Sequence, residues 1–203
     1  MSARRRPPAR TSARPAPATP PAPAHDLDGM LRRLHLPTVR RLYSDLATRA
    51  EAEGMSYHTY LETLIAEEIA HRGETRLTRA VHKARFPFLR TIDDFNFTFQ
   101  TALKLQMLGS YLGPELVSEG RNAIFSGPSG TGKSHLCIAI AYRAIQHGYD
   151  ARFVGADVLI GELSRAASKG RLDAALQPYL QPHVLIIDEL GYLSHAVDAA
   201  NVL

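Results

Sequence analysis

The sequence predicts an α/β fold, a parallel sheet built around a glycine-rich loop and preceded by a small helical domain. Two stretches carry that reading. Residues Gly127-Pro128-Ser129-Gly130-Thr131-Gly132-Lys133-Ser134 spell G-x-x-x-x-G-K-[ST], and Val184-Leu185-Ile186-Ile187-Asp188-Glu189 runs four apolar residues into two acids. A third observation concerns order: helical periodicity fills residues 26–85, before either motif appears.

Residues 1–25 hold seven of the chain's 13 prolines, five arginines (Arg4, Arg5, Arg6, Arg10 and Arg14) and no acid. With almost no large apolar residue, this Pro/Ala/Arg-rich N-terminal tail has nothing to bury and is expected to be disordered. Setting its arginines aside leaves 19 basic residues against 20 acids, so the formal charge of +4 belongs to the tail. A strongly basic globule is excluded. The prolines forbid the amphipathic helix of a mitochondrial presequence, and a secretory signal would need an apolar stretch the tail lacks. No 18-residue apolar run exists, so no membrane partner is expected. The single cysteine, Cys137, falls on the inward side of a predicted helix and suggests a reducing, cytoplasmic setting without disulfides. The nine histidines show no metal-ligand spacing.

Residues 26–85 read as the helical domain. Val39, Leu42, Tyr43, Leu46, Ala47 and Ala50 recur at helix spacing after Pro37, and Gly54 closes that helix. Ser56 caps a second helix with Tyr57, Tyr60, Leu61, Leu64, Ile65 and Ile69 on one face. A third is expected from about Glu74 to Ala84. Along this stretch Arg72, Arg76, Arg79 and Lys83 follow steps of four, three and four, placing four cations on one face. That stripe is a candidate contact for a phosphate backbone, and equally a solvated helix face.

Residues 86–100 form an aromatic linker, with five of the chain's seven phenylalanines between Phe86 and Phe99. The alternation of Phe95, Phe97 and Phe99 predicts an extended segment with one buried face. An apolar clasp onto the following domain is the favoured role, base stacking the alternative.

Residues 101–203 form the loop-bearing core. Asn122–Ser126 reads as a strand, Lys133–Gln146 as a helix closed by Gly148, and Ala151–Val154 as a second strand. Ala156–Ala167 is amphipathic helix, Arg171–Leu180 is partly helical and stopped by Pro178 and Pro182, and Val184–Asp188 is a strand buried on both faces. Each motif residue answers a physical demand. The glycines let successive backbone N–H groups turn inward around a triphosphate. Lys133 reaches the β- and γ-phosphates, Ser134 offers a hydroxyl to Mg²⁺, and the following helix aims its positive end at the same anion. Cofactor contacts are expected from Gly127, Pro128, Ser129, Gly130, Thr131, Gly132, Lys133, Ser134 and His135. Asp188 is expected to hold Mg²⁺ through its water shell, opposite the Ser134 hydroxyl, and Glu189 to polarise a water as catalytic base beside Lys133. ATP and Mg²⁺ are thus the implied cofactors. The adjacent acid and the missing N-K-x-D tetrapeptide speak against a Ras-type GTPase. A metabolite kinase is disfavoured, because the Asp188-Glu189 pair suits water activation.

With these motifs placed, residues 30–203 resemble the IstB-like ATP-binding proteins, helpers of insertion-sequence transposases and relatives of the DnaC-type helicase loaders. The matching stretches are LHLPTVRRLYSDLATRAEAEGMSY, ARFPFLRTIDDFNFTFQ, GPSGTGKSHL, LIIDELGYL and DAANVL. The resemblance implies a P-loop AAA+ (ASCE) core after a helical domain, self-association into an ATP-dependent oligomer on double-stranded DNA, and recruitment of a transposase. It also implies a sheet order in which a fourth strand lies between the loop strand and the acidic strand. Only three strands are legible by Leu203, so the core is expected to be incomplete at the C-terminus and impaired in ATP hydrolysis. Two further readings stay open: a DnaC-like helicase loader in DNA replication, and a remnant that binds DNA or partners without hydrolysis.

Overall fold

The computed structural model describes residues 26–98 and 103–190. The expected disordered tail, Phe99 of the linker and the stretch from residue 191 onward lie outside them. Packing divides the chain into two compact units, Met1–Glu68 and Ile69–Leu203. No helix among the described residues is long and apolar enough to cross a membrane.

The first unit is helical. Helix α1 (Leu27–Arg33) starts where the Asp26 carboxylate accepts the Gly29 N–H at 3.0 Å. Helix α2 (Pro37–Glu53) opens on Pro37 and ends at Gly54, whose φ of +65° glycine adopts at low cost. Its first turn has no cap from its own side chains. Instead the buried Glu68 carboxylate, on α3 (Tyr57–Ala84), accepts the N–H groups of Thr38 at 2.8 Å and Val39 at 3.2 Å. Leu31, Val39 and Leu64 form the core between these elements. Ser56 caps α3 as expected, accepting the Thr59 N–H at 3.1 Å.

The two helices expected over 57–69 and 74–84 are one helix of 28 residues. Gly73 sits inside it, and a lone glycine costs only about 1 kcal/mol relative to alanine. The turns beyond it outweigh that cost: Leu77, Ala80, Val81 and Ala84 pack on Ile138, Ala141 and Ile145. Residues 69–84 therefore group with the second unit, whereas the sequence placed the domain boundary after Arg85.

The second unit continues with a 3-10 turn (Leu105–Leu108), short helices α4 (Gly109–Leu112) and α5 (Glu115–Ser118), then α6 (Lys133–Gln146). Strand β1 (Ala151–Gly155), helices α7 (Ala156–Ala167) and α8 (Leu172–Leu180), and strand β2 (Val184–Asp188) follow. The strands pair in parallel, Ala151 opposite Val184 through Gly155 opposite Asp188. The helical crossover of α7 and α8 is what a parallel pair requires. Ala151 and Ile186 face α3 and α6, while Val154 and Ile187 face Leu159, Leu163 and Tyr179 of α7 and α8. A further cluster joins Leu136 and Ile140 of α6 to Ile92, Phe95, Leu108 and Leu116.

Four further expectations are corrected. Residues 122–126 form no strand among the described residues, and Ile124 is 92% exposed. A strand needs a ladder partner, and the neighbour that the resemblance implies for this segment is not among the described residues. Strand β2 is not buried on both faces, since Leu185 stays 36% exposed. Pro178 does not stop α8, which continues to Leu180 with Pro178 inside its last turn. The linker is not extended at Phe95–Phe97, where the Phe97 N–H bonds the Phe95 carbonyl at 3.1 Å and the two rings meet edge to face.

Candidate nucleotide-binding site

Parallel pairing sets the C-terminal end of β2 beside the start of α6, because both pack through the Ala151–Ile186 layer. Two motifs 54 residues apart meet there: the Ser134 hydroxyl donates to Asp188 Oδ2 at 2.7 Å, in a half-buried position. The Glu189 N–H donates to the other Asp188 oxygen at 3.0 Å. Glu189 itself takes φ +62°, a left-handed conformation uncommon outside glycine, and its side chain is exposed beside Asp188.

The loop is shaped by glycine where it must be. Gly130 and Gly132 adopt φ +77° and +87°. A β-carbon at Gly132 would lie 2.7 Å from Cε2 of Phe95, so both backbone conformation and space demand glycine there. The Lys133 ammonium reaches back across the loop to the Pro128 carbonyl at 2.7 Å, and the Thr131 hydroxyl donates to the same oxygen at 2.9 Å. Gly127, Pro128, Ser129 and Gly130 are exposed.

His135, expected among the cofactor contacts, directs its ring elsewhere. Its Nε2–H donates to the Thr91 carbonyl at 2.9 Å, and the ring stands edge to face against Phe95, centroids 5.2 Å apart. Thr91, Asp94 and Phe95 were missed as neighbours of the loop. The signal was present as T-x-x-D, the spacing of a reciprocal turn.

Burial, and then the nearby Asp188 carboxylate, push the Cys137 thiol up to about 11, so it stays protonated and inert near neutral pH. The four cations of α3 are exposed, as expected of a stripe. Two of them have partners in the core: Arg76 donates to the Gly148 carbonyl at 2.7 Å, and Lys83 pairs with Asp150 at 3.1 Å. They fasten α3 to the turn between α6 and β1.

The donor set fits Mg²⁺. The Ser134 hydroxyl and Asp188 carboxylate are hard oxygens held together, and Mg²⁺ takes one or two such protein oxygens, completing its shell with phosphates and water. Loop, cation and paired oxygens together suit a polyphosphate.

Comparison with known proteins agrees. Residues 29–203 match the family described as IstB-like ATP binding protein. A protein of Geobacillus stearothermophilus, named for insertion sequence IS5376 and for ATP binding, is 34% identical over 84% of this chain and 68% of its own length. A similarly named IS21 protein of Pseudomonas aeruginosa is 31% identical over 83% of this chain and 64% of its own. An insertion-sequence ATP-binding protein of Sinorhizobium fredii is 30% identical over 86% and 59%. The chain thus spans about three fifths to two thirds of the length of these relatives.

Proposed function

The chain belongs to the family of IstB-like ATP binding proteins, and from that premise we propose that it binds Mg·ATP at Gly127–Ser134 and acts on DNA as the helper of a transposase. One observation carries the nucleotide half: Ser134 and Asp188, from separate motifs, meet at 2.7 Å. A triphosphate in the loop takes over the Lys133 ammonium from the Pro128 carbonyl, exchanging a neutral acceptor for a charged one. The α6 N-terminus adds its N–H groups and dipole to the same anion. Mg²⁺ supplies charge neutralisation of the phosphates when bound. Ser134 and Asp188 would hold it, and Glu189, one residue beyond, would orient and deprotonate the attacking water.

The names of the three relatives place them in insertion sequences, which supports transposition over helicase loading. DNA contact falls to the exposed cations of α3, Arg72, Arg76, Arg79 and Lys83, which suit a phosphate backbone read without sequence preference. Nucleotide-dependent self-association and transposase recruitment complete the proposal. The test is an electrophoretic mobility assay on double-stranded DNA with and without Mg·ATP. Retardation that needs Mg·ATP and fails in Lys133→Ala supports the helper. Retardation indifferent to both contradicts it and favours a binding remnant.

A further inference from the structure

We infer that the turn Thr91–Phe95 is a latch that sets the conformation of the phosphate loop, with Phe95 and His135 as positioning residues for Mg·ATP. The inference rests on the nucleotide reading above and assigns a role to a segment outside both motifs.

The turn is closed on itself. Asp94 Oδ2 accepts the Thr91 N–H at 3.1 Å and its hydroxyl at 2.8 Å, and the Asp94 N–H returns to Thr91 Oγ1 at 3.3 Å. These bonds to Thr91 hold the Asp94 carboxyl below its ordinary range. A turn fixed this way presents the Thr91 carbonyl in one direction, and the His135 Nε2–H meets it at 2.9 Å. Four residues along, Phe95 is buried in the cluster of Ile92, Leu108, Leu136 and Ile140. Its ring lies edge to face with His135 at an interplanar angle of 88° and fills the space behind Gly132.

The positions gripped are informative. Phe95 abuts residue 132 and both Phe95 and Thr91 hold residue 135, so the latch brackets Lys133 and Ser134, the two residues that meet phosphate and metal. Near-attack and binding geometries tolerate little displacement, and a first helical turn pinned on both sides presents them in one arrangement. The aromatic linker is thus part of the nucleotide site's support.

Equilibrium binding of Mg·ATP is measured for the full chain and for His135→Leu, His135→Gln and Phe95→Leu, with ligand-free urea melts alongside. His135→Leu is expected to weaken binding about three- to tenfold, the scale of one hydrogen bond. The glutamine amide reaches the same carbonyl, so His135→Gln is expected to bind within about twofold of the parent. Phe95→Leu keeps an apolar side chain in the core with some loss of volume, removes the ring edge and is expected to weaken binding while the chain stays folded in the melt. Parent-like affinity in both leucine variants overturns the latch, as does a loss that glutamine fails to restore. If His135→Leu does not fold, parent-like affinity in Phe95→Leu overturns it alone. A parent chain that binds no Mg·ATP overturns the nucleotide reading itself, a separate outcome.

Discussion

Ser134 and Asp188 share a hydrogen bond of 2.7 Å although 54 residues separate them. Ser134→Ala leaves Asp188 Oδ2 without that donor and removes the hydroxyl proposed to meet Mg²⁺. The expected outcome is a fall of about tenfold in the Mg²⁺-dependent part of ATP affinity, with Ser134→Thr close to the parent. Titration calorimetry with and without a chelator checks it.

Gly132→Ala combines a left-handed conformation with a β-carbon 2.7 Å from the Phe95 ring. Destabilisation of about 1–3 kcal/mol is expected by urea denaturation. An unchanged midpoint would show that the loop relaxes freely.

Glu68 is buried and stands in for the side-chain cap that α2 lacks. Glu68→Ala strands two N–H donors and should cost about 1–3 kcal/mol in a denaturant melt. Glu68→Gln keeps an oxygen acceptor and should lose less.

Asp94 has its carboxyl lowered first by its hydrogen bonds to Thr91. A depressed folded value means stability present above the unfolded carboxyl range and lost as pH falls through the folded one. The urea midpoint of the parent should therefore exceed that of Asp94→Ala at pH 7, and the gap should close on acidification below about pH 4. A gap independent of pH would deny the Thr91 bonds this role.

Arg79→Ala and Lys83→Ala separate the two uses of the basic stripe. Lys83 pairs with Asp150, an exposed ion pair of at most about 1 kcal/mol, so its loss touches stability as well as charge. Arg79→Ala should leave the melt unchanged and reduce the slope of log affinity for DNA against log salt by about one. Equal slopes in parent and variant would remove Arg79 from the DNA contact.

Much of this was legible in the residues. Helices α6 and α7 run from Lys133 to Gln146 and from Ala156 to Ala167 as periodicity and caps predict, and β1 and β2 lie where the apolar runs stand. What failed were local rules overridden by packing or by partners. Gly73 did not break α3, because Leu77 to Ala84 are committed to the core beneath. Residues 122–126 have strand chemistry without a paired neighbour among the described residues. Phe95 looked like one rung of an alternating strand, yet a turn closed by Thr91 and Asp94 outweighs period-two patterning. Its contact with Gly132 and His135 is a tertiary relation that no spacing rule in the linker announces.

The central claim is that the Gly127–Ser134 loop binds a nucleoside triphosphate with Mg²⁺ held between Ser134 and Asp188. Titration of Mg·ATP into the chain and into Lys133→Ala tests it most directly. Saturable binding that needs Mg²⁺ and weakens by about ten- to a hundredfold on loss of the ammonium, the scale of a charged hydrogen bond, is the predicted result. No saturable binding, or equal affinity in the two proteins, would contradict the account.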